Sequence, residues 1–158
     1  MVYGIFAQCD PYNLLHERNI ENTRKHLYNC GGYALGTYSW YCPHDEVHKG
    51  FYNPDLDETM EEQTLAHANI ILNEIQNIRM IERVEEATQD EEVIAFRLSE
   101  TINDFHFMVR KHGRWYHKQG SYKEIRCVPT EKVFSDCWVN EDGDEYTGMI
   151  VLFARMIK

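Results

Sequence analysis

The spacing of hydrophobic and polar positions changes part way along the chain, and that change predicts its organisation. Residues 58–86 hold no glycine or proline, and Leu65, Ile70, Ile71, Leu72, Ile75, Ile78, Met80 and Ile81 recur in a near-helical rhythm. This predicts one long helix, or two broken around Asn77, with a Glu-rich start suited to the positive end of a helix. Beyond Gln89 and Asp90 the rhythm shortens. "EEVIAFRLSE" and "NDFHFMVRK" are rich in strand formers and alternate in part, and "HG" between "MVRK" and "RWYHK" predicts a tight turn. "YKEIRCV" and "TGMIVLFARMI" add further strands, the second apolar enough to lie inside a sheet.

The first third of the chain is less regular. Residues 12–27 lack glycine and proline, but their periodicity is too weak to assign. Asn29 has the chemistry of an N-cap, which places Cys30 in the first turn of a helix continued by Tyr33, Ala34, Thr37 and Tyr38. Two glycines in that turn cost helix stability and predict a close approach by something else. Pro43 ends the segment, and "HDEVHKGFYNPDLDET" reads as a loop. Helices in the first half and an antiparallel sheet in the second form the α+β pattern, in a single domain spanning 1–158.

Composition narrows the function classes. A chain of 158 residues with 43% hydrophobic and 27% charged residues is an ordinary globular domain with a real core. A net charge of -10 makes a nucleic-acid partner a poor match. No run approaches the length of a membrane span, and "MVYGIFAQCD" does not read as a signal peptide, so the expectation is a cytoplasmic protein without a membrane partner. Five cysteines, Cys9, Cys30, Cys42, Cys127 and Cys137, are odd in number and irregularly spaced, which favours reduced thiols. There is no internal repeat and no phosphate loop.

The candidate chemistry centres on Cys30. Thiolate is favoured at a helix N-terminus and beside an imidazole. His106 in "DFHF" lies on a predicted strand, and His117 in "WYHK" lies on the next, so both reach one face of the hairpin. His112 reads as a turn residue only. These residues predict acyl chemistry with Cys30 as nucleophile, His106 as general base and then acid, and His117 orienting it. The Cys30 backbone N–H would contribute to an oxyanion hole. No cofactor is needed. Of the nearby aromatics, Tyr33, Tyr38, Trp40, Tyr41, Phe105 and Trp115 are expected mostly in the core, with one or two lining a groove.

The order of a cysteine at a helix start, a strand-borne histidine and a further histidine on the next strand resembles the NlpC-like branch of papain-like cysteine peptidases. "HFMVRKHGRWYH" is similar to that family's paired strands, and "NC...YAL" with "DFHF" and "WYHK" also resembles bacterial and phage proteins grouped with such enzymes. The similarity covers residues 28–122. It implies a papain-like fold, a helix packed on an antiparallel sheet, and a cysteine protease or amidase acting on an amide or isopeptide bond of a peptide or protein substrate. The acidic segment between the cysteine and histidine elements is longer here than in that family's usual pattern.

Two other readings compete. "CPHDEVH" supplies Cys42, His44 and His48, which together with Cys30 or Asp45 have the ligand types of a small zinc site. A catalytically inactive binding or inhibitor protein of the same fold would instead use acidic surface from residues 55–62, 82–92 and 141–145.

Overall fold

A computed structural model describes residues 26–120 and 124–157. The weakly periodic stretch 12–27, Cys9 and Tyr122 lie largely or wholly outside the described residues. Helix α1 (Cys30–Ala34) and helix α2 (Met60–Glu74) precede strand β1 (Ile78–Ile81). Strands β2 (Glu91–Leu98), β3 (Phe105–Lys111), β4 (Arg114–Lys118) and β5 (Ile125–Val128) follow, then a short helix α3 (Thr130–Val133). A two-stranded ribbon, β6 (Trp138–Val139) with β7 (Glu145–Tyr146), leads to β8 (Val151–Met156).

The main sheet has six strands in the order β1-β8-β2-β3-β4-β5, every neighbouring pair antiparallel. The fold is therefore α+β. The apolar run near the C-terminus is an interior strand, seated between β1 and β2. The "HG" turn closes β3 on β4 at Lys111↔Arg114, with His112 at φ 51° and Gly113 at φ 78°. Two central residues with positive φ make the tight hairpin whose twist matches the strands.

The helix expected over 58–86 is shorter. Thr59 and Glu62 form a reciprocal capping box at the start of α2, and the helix stops at Glu74. Asn77 adopts φ 59°, a left-handed conformation that breaks the helix where asparagine tolerates it. Ile78, Met80 and Ile81 then run as an edge strand against β8, and residues 84–86 form one 3₁₀ turn.

Alternation along the strands sorts side chains into two cores. Phe96, Phe105, Phe107, Val109, Tyr116 and Phe153 face α1, α2 and Phe51. Ala95, Met108, Trp115, Leu152 and Ala154 face Val133, Trp138 and Tyr146. Arg97, on the second face, is buried and donates to the carbonyl oxygens of Gly148, Ser135 and Asp136, at 2.5, 2.8 and 2.5 Å. It also lies 5.4 Å from the centre of the Trp138 ring, so one cation ties the ribbon to the sheet.

Candidate active site

Asn29 builds the start of α1. Its Oδ1 accepts from Gly32 N at 3.0 Å, satisfying an otherwise unpaired donor of the first turn. The same oxygen accepts from Tyr41 N at 3.1 Å, and Nδ2 donates to Tyr41 O at 2.7 Å. The chain at 39–41 is thereby folded back on the helix. A Cβ added at Gly32 would stand 1.8 Å from Ser39 O, and one at Gly31 3.0 Å from Tyr41 O, so the glycines after Cys30 admit the protein's own backbone. This return path leaves Tyr38 and Trp40 exposed at 53% and 59%, contrary to the expected core placement. Tyr33, Phe105 and Trp115 are buried as expected.

Cys30 is buried against the first face of the sheet. Burial pushes its thiol up to about 12; backbone N–H groups of Phe107 and Gly31 pull the other way, as does Lys118, while Asp104 adds to the rise. The structure thus holds Cys30 as a neutral thiol beside the peptide that joins His106 to Phe107.

The histidines belong to the other face. The β3–β4 ladder pairs Val109↔Tyr116, Arg110↔Trp115 and Lys111↔Arg114 and goes no further, although β3 reaches back to Phe105 and β4 on to Lys118. Continuing that register sets His117 across from Met108, so His106 and His117 are diagonal neighbours where the strands part. His106 Nε2 meets His117 Nδ1 at 2.8 Å. Trp138 and Tyr146 pack on His106, with ring centres 6.0 and 5.9 Å away. Burial holds the His106 pKa well below 6.5, with a further push from His117, and holds His117 down to about 4. Both rings are neutral at pH 7. Among the described residues His106 Nδ1 has no hydrogen-bond partner, and no hydrogen bond joins Cys30 to either ring.

The two faces meet at the lower end of β3. A cavity of about 410 Å³ there is lined by Cys30 and His106 together, with Asn29, Trp40, Cys42, Asp104 and Tyr146 among its other walls. A second cavity, of about 300 Å³, has His106 and His117 in its wall. The histidine pair is therefore a partition reached from two sides.

Two contributors escape the sequence pattern. Lys118 is fully buried; its Nζ donates to Tyr28 O at 2.6 Å and to Gly120 O, and it lies 4.7 Å from the centre of the Tyr28 ring. It anchors the residue just ahead of Asn29 to β4 and sets a positive charge near Cys30. Asp104 accepts from the Tyr146 hydroxyl at 2.6 Å, and both line the cavity that holds Cys30. A lysine in an alternating strand and an aspartate before one carry no signal of such roles.

The loop that suggested zinc is built otherwise. His48 is buried between Asp45 (2.8 Å from Nδ1) and Glu58 (2.9 Å from Nε2). Burial opposes its charge, but the hydrogen bonds to Glu58 and Asp45 outweigh this and raise its pKa. His67 of α2 reaches Pro43 O at 2.8 Å and Phe51 O at 2.5 Å, and pins both ends of the same loop. Among the described residues no group of three or more His, Cys, Asp or Glu is arranged to hold a metal ion. Among the described residues Cys30, Cys42, Cys127 and Cys137 form no disulfide, and no helix is long and apolar enough to cross a membrane. Glu91 is taken by Arg79, and Glu92 by Lys111 and Arg155, so the acids of 82–92 are partly paired.

No curated protein and no solved structure matches the chain. The sequence profile of a family described as Domain of unknown function (DUF7689) matches residues 19–136, a span that takes in Cys30, both histidines and the whole β3–β4 hairpin. That span is well over half of the 158 residues, and the chain belongs to the DUF7689 family.

Proposed function

We propose that this protein is a thiol-dependent hydrolase or acyltransferase of papain-like, NlpC-like type, acting on an amide or isopeptide bond of a peptide or protein. One observation carries the reading. Cys30 lies against the backbone N–H of Phe107, next to a His106 that shares its cavity, keeps Nδ1 open and is held at Nε2 by His117. With Nε2–H donated to His117 Nδ1, the lone pair of His106 sits on Nδ1, as a general base requires.

Burial dictates how such a site works. With the thiol near 12 and the imidazole below its usual range, the resting pair is uncharged rather than a thiolate–imidazolium pair. Cys30 turns from Phe107 into the cavity and passes its proton to His106 Nδ1 as sulfur attacks the acyl carbon. The tetrahedral oxyanion meets the Cys30 N–H, which the Asn29 cap leaves over. His106 returns the proton to the departing amine. Water, or an acceptor amine, then releases the acyl group by the same base, and His117 holds the ring in place throughout.

The test is the rate of Cys30 alkylation by iodoacetamide against pH, read by peptide mass spectrometry. A base-assisted thiol reacts at a rate that is already level at pH ~6.5 and stays so through neutral pH, because His106 loses its proton well below 6.5, and His106→Ala lowers that rate ~100-fold. A wild-type rate that climbs tenfold per pH unit, unchanged by His106→Ala, would sink the reading and leave a binding protein in its place.

A further inference from the structure

Two thiols share one cavity. Cys30 and Cys42 both line the recess between the start of α1 and the β6–β7 ribbon, and Cys127 and Cys137 do not. The backbone brings the two together. Residues 39–42 run back past α1 in the opposite direction: a Cβ at position 32 would meet Ser39 O and one at position 31 would meet Tyr41 O, so one step further on Cys30 comes alongside Cys42. Asn29, next to Cys30, holds both the N–H and the carbonyl oxygen of Tyr41, next to Cys42, which ties the two passages to each other. Burial raises both thiols and Asp104 adds to each rise, so both sulfurs stand within the field of one carboxylate. They differ in access, for Cys30 is 5% exposed and Cys42 lies open to solvent.

We propose that Cys30 and Cys42 form a reversible disulfide, in which the exposed Cys42 meets a small-molecule disulfide and Cys30 resolves the adduct. The Cys42 sulfur attacks one sulfur of the small disulfide, a mixed disulfide forms, and a small thiol leaves with the Cys42 proton. Cys30 then turns from Phe107 into the cavity, its sulfur attacks that of Cys42, and the second small thiol leaves with the Cys30 proton. Two protein thiols are oxidised and one small disulfide is reduced to two thiols. Both protein thiols are protonated at pH 7, so exchange quickens as pH rises. The position of equilibrium reports how well the fold brings the two sulfurs to bonding distance. The bond straps the 39–42 passage to α1 and takes up the Cys30 sulfur. That it thereby switches catalysis off rests on the hydrolase reading above; the bond itself does not.

The test equilibrates the protein with mixtures of reduced and oxidised glutathione at about pH 8, traps the remaining thiols with N-ethylmaleimide in denaturant, and reads the peptides by mass spectrometry. Trypsin leaves both cysteines on one peptide, residues 26–49, because no lysine or arginine lies between Lys25 and Lys49. On oxidation that peptide is expected to lose both maleimides together, and a further cut at Tyr33, Tyr38 or Trp40 to leave two pieces joined by the bond. Half formation is expected at a ratio of squared reduced to oxidised glutathione on the order of 10 mM or more. Cys30→Ser is expected to stop at the Cys42 mixed disulfide, and Cys42→Ser to leave Cys30 reduced at every ratio. A wild-type protein that also stops at the mixed disulfide, or that pairs Cys30 with another cysteine, overturns the proposal. A Cys30–Cys42 bond in a protein whose reduced Cys30 alkylates without help from His106 supports the proposal and removes the hydrolase reading. A base-assisted Cys30 that never pairs with Cys42 overturns the proposal and leaves that reading standing.

Discussion

His106 and His117 touch through Nε2 and Nδ1 at 2.8 Å although they do not face one another across the β3–β4 ladder. The contact exists because the ladder ends at Val109↔Tyr116 and the strands then diverge, giving a diagonal pair room for two rings.

That contact predicts a positioning role for His117. On the proposed hydrolase mechanism, His117→Ala is expected to slow Cys30 alkylation about tenfold at pH 7, less than His106→Ala, which removes the proposed base. His117→Asn, which keeps an acceptor near the ring, should recover part of the rate. Equal rates for wild type and His117→Ala would show that the pair is structural only.

Neutral burial of the two rings predicts sensitivity to acid. Their folded pKa values lie below 6.5, so the unfolded chain binds more protons under that pH. Stability is fully present above 6.5 and is lost as pH falls, by about 1.4 kcal/mol per pH unit for each ring. For His117 the loss continues to about pH 4. Urea unfolding at pH 7 and pH 5 measures this, and His117→Gln should narrow the difference. A wild-type midpoint that does not move between those pH values would contradict the burial argument.

His48 works in the opposite sense. Its folded pKa is raised, so its contribution is complete below 6.5 and fades as pH rises through the folded value. Amide exchange in residues 45–58 should therefore quicken, beyond its intrinsic pH dependence, on going from pH 6 to pH 9. His48→Gln should exchange fast at both. If the loop stays equally protected at pH 9, the Asp45–His48–Glu58 clamp is not what orders it.

Crowding at the start of α1 makes the glycines irreplaceable. Gly32→Ala places a methyl 1.8 Å from Ser39 O, a backbone atom that Asn29 and Tyr41 hold close by. A loss of about 3 kcal/mol or more is expected in chemical denaturation, against about 1 kcal/mol for Asn29→Asp, which keeps the cap acceptor and loses one donor. A Gly32→Ala protein as stable as wild type would mean that the 39–41 segment lies elsewhere in solution.

Much of this arrangement is legible before any coordinates. The hairpin is written in "HG" between two alternating runs, and the helix start in an asparagine before "CGG". The segment after α2 is not, because Ile75, Ile78 and Ile81 recur every three residues, a spacing that continues the helix. What decides it is β8, which pairs Ile78 with Arg155 and lies some seventy residues away. Trp40 reads as core until Asn29 is seen to pin Tyr41 and turn the intervening peptide outward. The burial of Lys118 has no signal in the sequence, because Tyr28 O and Gly120 O are what surround its ammonium. In each case the missing information is the identity of a distant partner.

The seating of β8 between β1 and β2 has a consequence for how the protein is made. Translation delivers Cys30, then the histidine hairpin, and only much later residues 151–156. Until residues 151–156 clear the exit tunnel, β1 and β2 have no strand to join them, and β2 waits with one edge open. Order of synthesis thus leaves β1 detached from the sheet until β8 is made.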